Sequence, residues 1–254
     1  ERRIKLFKMS KTLILIPSRL SASRLPGKPL LKIKGISLIN HVYRIAEKIS
    51  PGNAYVVTGD KKIHKNVVNN SGKSILTEGN HKTGTDRINE GYRKINNFKY
   101  KYILNLQGDE PLIDIRDVKN LINSISKKNL GMGTLACKLE DYSLFENKNV
   151  VKIITTKQLR KTGVVKAKKF TRFLRNKKLN NVYHHIGVYI YRSDVLSKFT
   201  SLKQTINEKK SKLEQLRALE NNIPINVHLA KKVPVGVDTI EDFYKVKKIL
   251  ELKN

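Results

Sequence analysis

Residues 12–17 read TLILIP, a run of apolar, β-favouring side chains closed by Pro17, and the strand it predicts decides the fold. Downstream, residues 38–49 (LINHVYRIAEKI) place Ile39, Val42, Tyr43, Ile45, Ala46 and Ile49 near i, i+3 and i+4 spacing. Lys48 stands near the end of that run and Pro51-Gly52 follow it, so the pattern is an amphipathic helix with its stop signal. Residues 54–58 (AYVVT) return to strand character. Strand, helix and strand within a unit of ~30 residues predict parallel pairing through a crossover helix.

The same alternation continues outward. Residues 73–77 (KSILT) and 102–106 (YILNL) are expected strands. From Met132 the pattern is more mixed: 133–138, 150–155, 163–167 and 186–191 read as strands, several close enough to pair antiparallel. A helix is expected over 209–220, a strand over 225–230 and a terminal helix after Asp238. The expectation is an α/β protein with a mixed, mostly parallel central sheet. A smaller β-rich lobe is expected near 141–183, reaching 190 with the strand that closes it. Residues 1–10 read as an N-terminal extension and 11–254 as one domain.

Composition narrows the function. The 254 residues carry 52 Lys+Arg against 21 Asp+Glu, a formal net charge of +31, with 39% hydrophobic residues spread in short runs, which argues against disorder. The apolar run at 13–16 falls far short of the ~20 residues that span a bilayer. It is also too short for a signal-peptide core, despite the basic residues ahead of it. Cys137 is the only cysteine, which excludes an intramolecular disulfide and a cysteine-cluster zinc site and suits a reducing cytoplasm. Lysine is spread throughout instead of gathered on one arm, and no nucleic-acid motif is present. The charge is therefore expected to favour small polyanions such as nucleoside triphosphates over specific nucleic-acid binding.

In an open α/β sheet, ligands sit beyond the carboxyl ends of the strands. The first strand runs into 18–29 (SRLSASRLPGKP), where Arg19, Arg24 and Lys28 share one loop whose path Gly27 and two prolines restrict. Two guanidiniums, an ammonium and backbone N–H groups suit a triphosphate, and a solvated basic loop is the plain alternative. It is not a Walker loop, since Pro29 follows the lysine. The strand at 102–106 leads into Gln107-Gly108-Asp109-Glu110-Pro111, where Asp109 is either a hard-metal ligand or a loop cap. Asp238, in GVDTIED, sits at another strand-to-helix junction and with Glu241 also fits a capping box. Together the two acids suit Mg²⁺ on a triphosphate. His81-Lys82-Thr83-Gly84-Thr85-Asp86-Arg87 opens a helix and offers hydroxyls for a base or ribose, or plain capping. His184 and His185 are adjacent on a strand and so point to opposite faces, and Cys137 is expected in the core.

Taken in order, IPSRLSASRLPGKPL, HKTGTDR, LNLQGDEP, HHIGVYIYR, LEQLR and GVDTIEDF make the chain similar to the 3-deoxy-manno-octulosonate (Kdo) cytidylyltransferase family, over about residues 11–252. The resemblance implies a Rossmann-like nucleotidyltransferase fold and Mg²⁺-dependent transfer of CMP from CTP to an acidic eight-carbon sugar, with release of pyrophosphate, for lipopolysaccharide synthesis. It implies Arg19, Arg24 and Lys28 on the triphosphate, Gly84, Thr85 and Arg87 near the nucleotide, and Asp109 and Asp238 on Mg²⁺. Arg19, Lys28, Asp109 and Asp238 form the implied catalytic set. Gln107, His185, Tyr189, Glu208 and Gln215 would line the sugar site, and Arg172 would pair with the sugar carboxylate. A cytoplasmic homodimer is implied, with the β-rich part contributing contacts. The segment Thr171-Arg172-Phe173 and Ser211 differ from the family's usual residues, both on the acceptor side. A related acidic sugar such as 8-amino-Kdo is thus the alternative acceptor. The alternative of another class is a nucleic-acid-binding protein on a transferase scaffold.

Overall fold

The computed structural model describes residues 12–21, 24–95, 100–174 and 180–252; the expected extension over 1–10 lies outside them. The strands are β1 (Thr12–Ser18), β2 (Lys32–Ile33), β3 (Ile36–Ser37), β4 (Ala54–Thr58), β5 (Ser74–Leu76), β6 (Tyr102–Asn105), β7 (Met132–Lys138), β8 (Lys152–Thr155), β9 (Val165–Thr171), β10 (Val182–Arg192) and β11 (Asn226–Leu229). The helices are α1 (Leu38–Ile49), α2 (Lys61–Asn69), α3 (Gly84–Ile95), α4 (Ile115–Lys127), α5 (Ser193–Ser201), α6 (Ile206–Ser211), α7 (Leu216–Glu220) and α8 (Ile240–Leu252). None is long and apolar enough to cross a membrane among the described residues.

β1 is apolar at successive positions because both its faces are covered. Ile14 and Ile16 pack in one core with Ile39, Val42 and Ala46 of α1 and Val118, Leu121 and Ile125 of α4. Leu13 and Leu15 face the other core, with Ile88 of α3 and Leu196 and Phe199 of α5. A third, smaller core joins Phe243 and Val246 of α8 to Ile33 and Leu38.

One nine-stranded sheet runs β5-β4-β1-β6-β10-β7-β11-β9-β8, and β10 also pairs with β8. β1 pairs parallel with β4 and β6, β4 with β5, and β7 with β11. The pairings of β10 with β6, β7 and β8, and of β9 with β11 and β8, are antiparallel. The sheet is therefore mixed as expected, but parallel order does not dominate it. The reason is the long β10, which runs antiparallel between β6 and β7.

The segment expected as a lobe is hydrogen-bonded into this sheet. Its strands complete a ring, β7-β11-β9-β8-β10, in which the first and last members also pair. Closure leaves these strands no free edge. The helix expected over 209–220 is two short ones, because Lys212 takes a left-handed conformation (φ 51°) that ends α6. The Leu213 N–H then bonds back to the Glu208 carbonyl at 3.2 Å, satisfying the helix end.

Candidate functional site

The carboxyl ends of β1 and β6, the start of α3 and the loop before α8 converge on a cleft of about 310 Å³. Arg19, Arg24, Lys28, Gly84, Arg87, Gln107, Asp109 and Asp238 all line it, joined by Ser18, His81, Lys82 and Thr83. Residues from Pro17 to Asp238, 221 positions apart in sequence, thus meet where strand-end loops are expected to bind ligand.

Two glycines make this convergence possible. Gly27 sits at φ 73°, a left-handed turn that carries the chain into Lys28. A Cβ on Gly108 would lie 3.1 Å from the Pro17 carbonyl oxygen, so its absence lets the β6 end approach the β1 end. The loop after β1 is tied down by the Leu20 N–H, which donates to Asp60 Oδ2 at 2.9 Å.

At the centre, Lys28 Nζ donates to Asp109 Oδ2 at 2.7 Å and to the Val237 carbonyl at 2.7 Å, and reaches Asp238 Oδ1 at 3.4 Å. Arg24 pairs with the other Asp238 oxygen at 3.0 Å. Asp238 is free to do this because α8 is capped one residue further on. The Asp242 carboxylate accepts from the Thr239 N–H at 3.1 Å, and the Asp242 N–H donates to Thr239 Oγ1 at 3.3 Å. The expected Asp238–Glu241 box is thus corrected to Thr239–Asp242. Two carboxylates gathered on one cation are a hard-oxygen donor set, and they fit a divalent metal.

Behind them lies Glu110, which sequence reasoning passed over. Burial first, then the neighbouring Asp109 and Asp238, push its carboxyl up to about 8, and one of its oxygens has no partner among the described residues. The adjacent Asp109 was the signal, but nothing in the pattern distinguishes which acid of the pair turns inward.

Thr83 caps α3, its Oγ1 accepting from the Asp86 N–H at 3.1 Å. Thr85 is not in the cleft wall; it is 1% exposed and lies against Glu214 and Tyr191.

The expected sugar residues divide. Gln107 lines the cleft, and Gly187 of β10 lies against its side chain. Around Gly187 the β10–β7 register shifts between Ile186 and Tyr189. Thr134 Oγ1 fastens this bulge to the Val188 carbonyl at 2.8 Å, and His185 Nε2 lies 2.9 Å from the Tyr189 hydroxyl. Burial, with His184 adjacent, pushes the His185 imidazolium down to about 3, so the ring is neutral near pH 7. His184 faces a second cavity with Cys137, away from this cleft.

Arg172 and Glu208 are placed otherwise than expected. The Arg172 guanidinium donates to the carbonyls of Ser211 (2.7 Å), Lys148 (3.1 Å) and Lys212 (3.1 Å). Its donors tie residue 148 to residues 211–212, and Arg172 does not line the cleft. Glu208 is a buried structural acid. It accepts from Arg217 Nε at 2.9 Å and Nη2 at 2.6 Å, and it completes a capping box with Thr205. Gln215 is buried, its Nε2 unpartnered among the described residues. Beside it lies Glu214, a buried acid that sequence reasoning did not single out. Burial pushes its carboxyl up to about 7 against the opposing Thr85 hydrogen bond, and Oε1 has no partner among the described residues. The break at Lys212 rotates Glu214, rather than Glu208, towards Thr83 and Thr85.

Comparisons with known proteins identify the family. A family model described as cytidylyltransferase matches residues 13–232. The 3-deoxy-manno-octulosonate cytidylyltransferase of Afipia carboxidovorans is 37% identical over 240 residues, 94% of this chain and 96% of that one. The protein of the same name from Bartonella tribocorum is 39% identical over 239 residues, 94% of this chain and 98% of that one. Among solved structures, CMP:2-keto-3-deoxy-manno-octonic acid synthetase complexed with CTP superposes with a TM-score of 0.86 at 33% identity, covering 96% of this chain and all of the other. A cytidylyltransferase from Leptospira borgpetersenii shares the fold at a TM-score of 0.63 and 16% identity, covering 95% of this chain and 87% of its own. With a family model across most of its length and such relatives along nearly all of it, the chain belongs to the 3-deoxy-manno-octulosonate cytidylyltransferase family.

Proposed function

We propose that this enzyme, a 3-deoxy-manno-octulosonate cytidylyltransferase, works in this cleft, with CTP along the Arg19–Lys28 loop and the acidic sugar towards Gln107 and β10. The anomeric hydroxyl oxygen of the sugar attacks the α-phosphorus of CTP. The bond from that phosphorus to the bridging oxygen breaks as the new one forms, pyrophosphate leaves with the electron pair, and the hydroxyl proton passes to solvent. The products are CMP-Kdo and pyrophosphate. The observation that carries the assignment of roles is the gathering of Asp109, Asp238, Lys28 and Arg24 into one contact set.

The obstacle is repulsion, because both reactants are anions. Arg19, Arg24 and Lys28 offset it by charge at the triphosphate, and Gly84 and Arg87 hold the nucleotide against the α3 start. Asp109 and Asp238 would hold Mg²⁺, which when bound supplies further charge neutralisation on the triphosphate. His185 is too weak a base at about 3 to take the hydroxyl proton efficiently near neutral pH, so with Tyr189 it orients the sugar. Glu214 and Gln215 replace Glu208 in the sugar set, since each has a buried polar atom with no partner among the described residues and Glu214 lies against Thr83 of the cleft wall. Arg172 acts on the acceptor side by holding 148 to 211–212 unless its carbonyl contacts are exchanged for the sugar carboxylate. A cytoplasmic homodimer using the ring of strands around 141–190 belongs to the same proposal.

The test is pyrophosphate release from four nucleoside triphosphates crossed with several acidic sugars. Release only with CTP, Mg²⁺ and Kdo together supports the assignment. Negligible release with Kdo and strong release with 8-amino-Kdo reverses the acceptor. Tight, steeply salt-dependent RNA binding without CTP turnover overturns it.

A further inference from the structure

The loop that brings His81, Lys82 and Thr83 into the cleft is fastened from outside it by one carboxylate. Glu90, two turns along α3, accepts from the Glu78 N–H on Oε1 at 2.8 Å and from the Gly79 N–H on Oε2 at 3.2 Å. His81 Nε2 lies 2.6 Å from the same Oε2, and Lys94 Nζ is 3.3 Å from Oε1. Successive backbone N–H groups folded around an anion form a nest, and here the anion belongs to the protein itself. The side chains of Glu90 and His81 are only 15% and 13% exposed, so the pairing is shielded from water. A Cβ on Gly79 would lie 2.9 Å from the His81 ring and 3.2 Å from Glu90 Oε2, so the wrap closes only around glycine. Burial pushes the Glu90 carboxyl up, but the N–H groups of Glu78 and Gly79, with His81 and Lys94, outweigh it and hold it at about 2. Glu90 itself is absent from the cleft wall, whereas His81, Lys82 and Thr83 are part of it.

We propose that Glu90 is a positioning residue for nucleotide recognition: its carboxylate folds residues 78–81 so that His81, Lys82 and Thr83 meet the nucleotide. This rests on the cytidylyltransferase reading of the cleft. Arg19, Arg24 and Lys28 come from the loop after β1 and grip any nucleoside triphosphate alike. Discrimination between nucleobases therefore falls to the wall that Glu90 shapes. Glu90→Gln replaces one accepting oxygen by a donating NH₂ group facing N–H donors, which opens the wrap without changing side-chain size.

The test compares wild type, Glu90→Gln, Glu90→Asp and Gly79→Ala by CTP and UTP kinetics and by amide hydrogen exchange. For Glu90→Gln, KM for CTP rises about tenfold or more while kcat stays within about threefold. The preference for CTP over UTP narrows, and amides of 78–83 exchange faster while the sheet keeps its protection. Glu90→Asp, which retains the charge, falls between the two, and Gly79→Ala shows the Glu90→Gln signature. A lowered melting temperature with unchanged KM and unchanged CTP preference overturns the proposal and leaves Glu90 a structural acid. Absence of CTP turnover in the wild type overturns the functional reading instead, and with it the role assigned to Glu90.

Discussion

Lys28 and Asp109, 81 positions apart, form a 2.7 Å ion pair, and the same ammonium reaches Asp238 at 3.4 Å. One ammonium thus contacts both carboxylates, and so Lys28 competes with any divalent ion for the same oxygens. Lys28→Ala is expected to tighten Mn²⁺ binding in the absence of nucleotide, measured by calorimetry. Pyrophosphate release should nevertheless fall on the order of 100-fold, because the triphosphate loses a positive contact. Weaker Mn²⁺ binding in the variant would contradict the competition.

Asp109→Asn and Asp238→Asn remove one charge each from this set while keeping shape. Each is expected to lower pyrophosphate release on the order of 100-fold or more in protein with a native circular-dichroism spectrum. Because Lys28 then faces a neutral amide, the melting temperature should change little for Asp238, which is half exposed in this pair. Normal turnover in both variants would remove the acids from the reaction.

Glu208 and Arg217 are buried together at 2.6 Å, with Arg217 stacked over Phe199 at 4.6 Å. Removing the Glu208 charge leaves the buried Arg217 to its longer 3.6 Å contact with Asp86, a loss of about 3 kcal/mol. Glu208→Gln should therefore lower the melting temperature by several degrees yet leave KM for the sugar unchanged in folded protein. Glu214→Gln should do the reverse on KM. A raised sugar KM in Glu208→Gln with unaltered stability would return Glu208 to the acceptor site.

These contrasts show what sequence alone can and cannot resolve here. β1 was readable because burial on both faces leaves only apolar residues, and the α1 pattern because one stripe of it packs on that strand. Arg19, Arg24, Lys28, Asp109 and Asp238 were readable because strand ends and loop starts leave compositional marks. The two short helices α6 and α7 were not readable as two, because the left-handed Lys212 that ends α6 is a residue with no turn signature. The role of Arg172 depended on carbonyls 24 to 40 positions away, which no local pattern encodes. The closed ring of strands was hidden for a similar reason: it follows from β10 pairing on both edges at once.

Glu214 carries a stability signature that turns on pH. Its carboxyl is raised from 4.5 to about 7, chiefly by burial. Between those values the native state holds a proton that the unfolded chain has released, so ν_U is smaller than ν_N and stability falls as pH rises. Below pH 4.5 the site costs nothing through this linkage; above pH 7 the cost is complete, about 3 kcal/mol at full weight. Glu214→Gln abolishes the titration with little change in shape. Its melting temperature relative to wild type is expected to be near zero difference at pH 4.5 and several degrees higher at pH 8, measured by calorimetry across that range. The gain should grow through the interval between 4.5 and 7 and then level off. A difference independent of pH, or one that grows towards acid, would show that the Glu214 carboxyl is not held protonated by its surroundings.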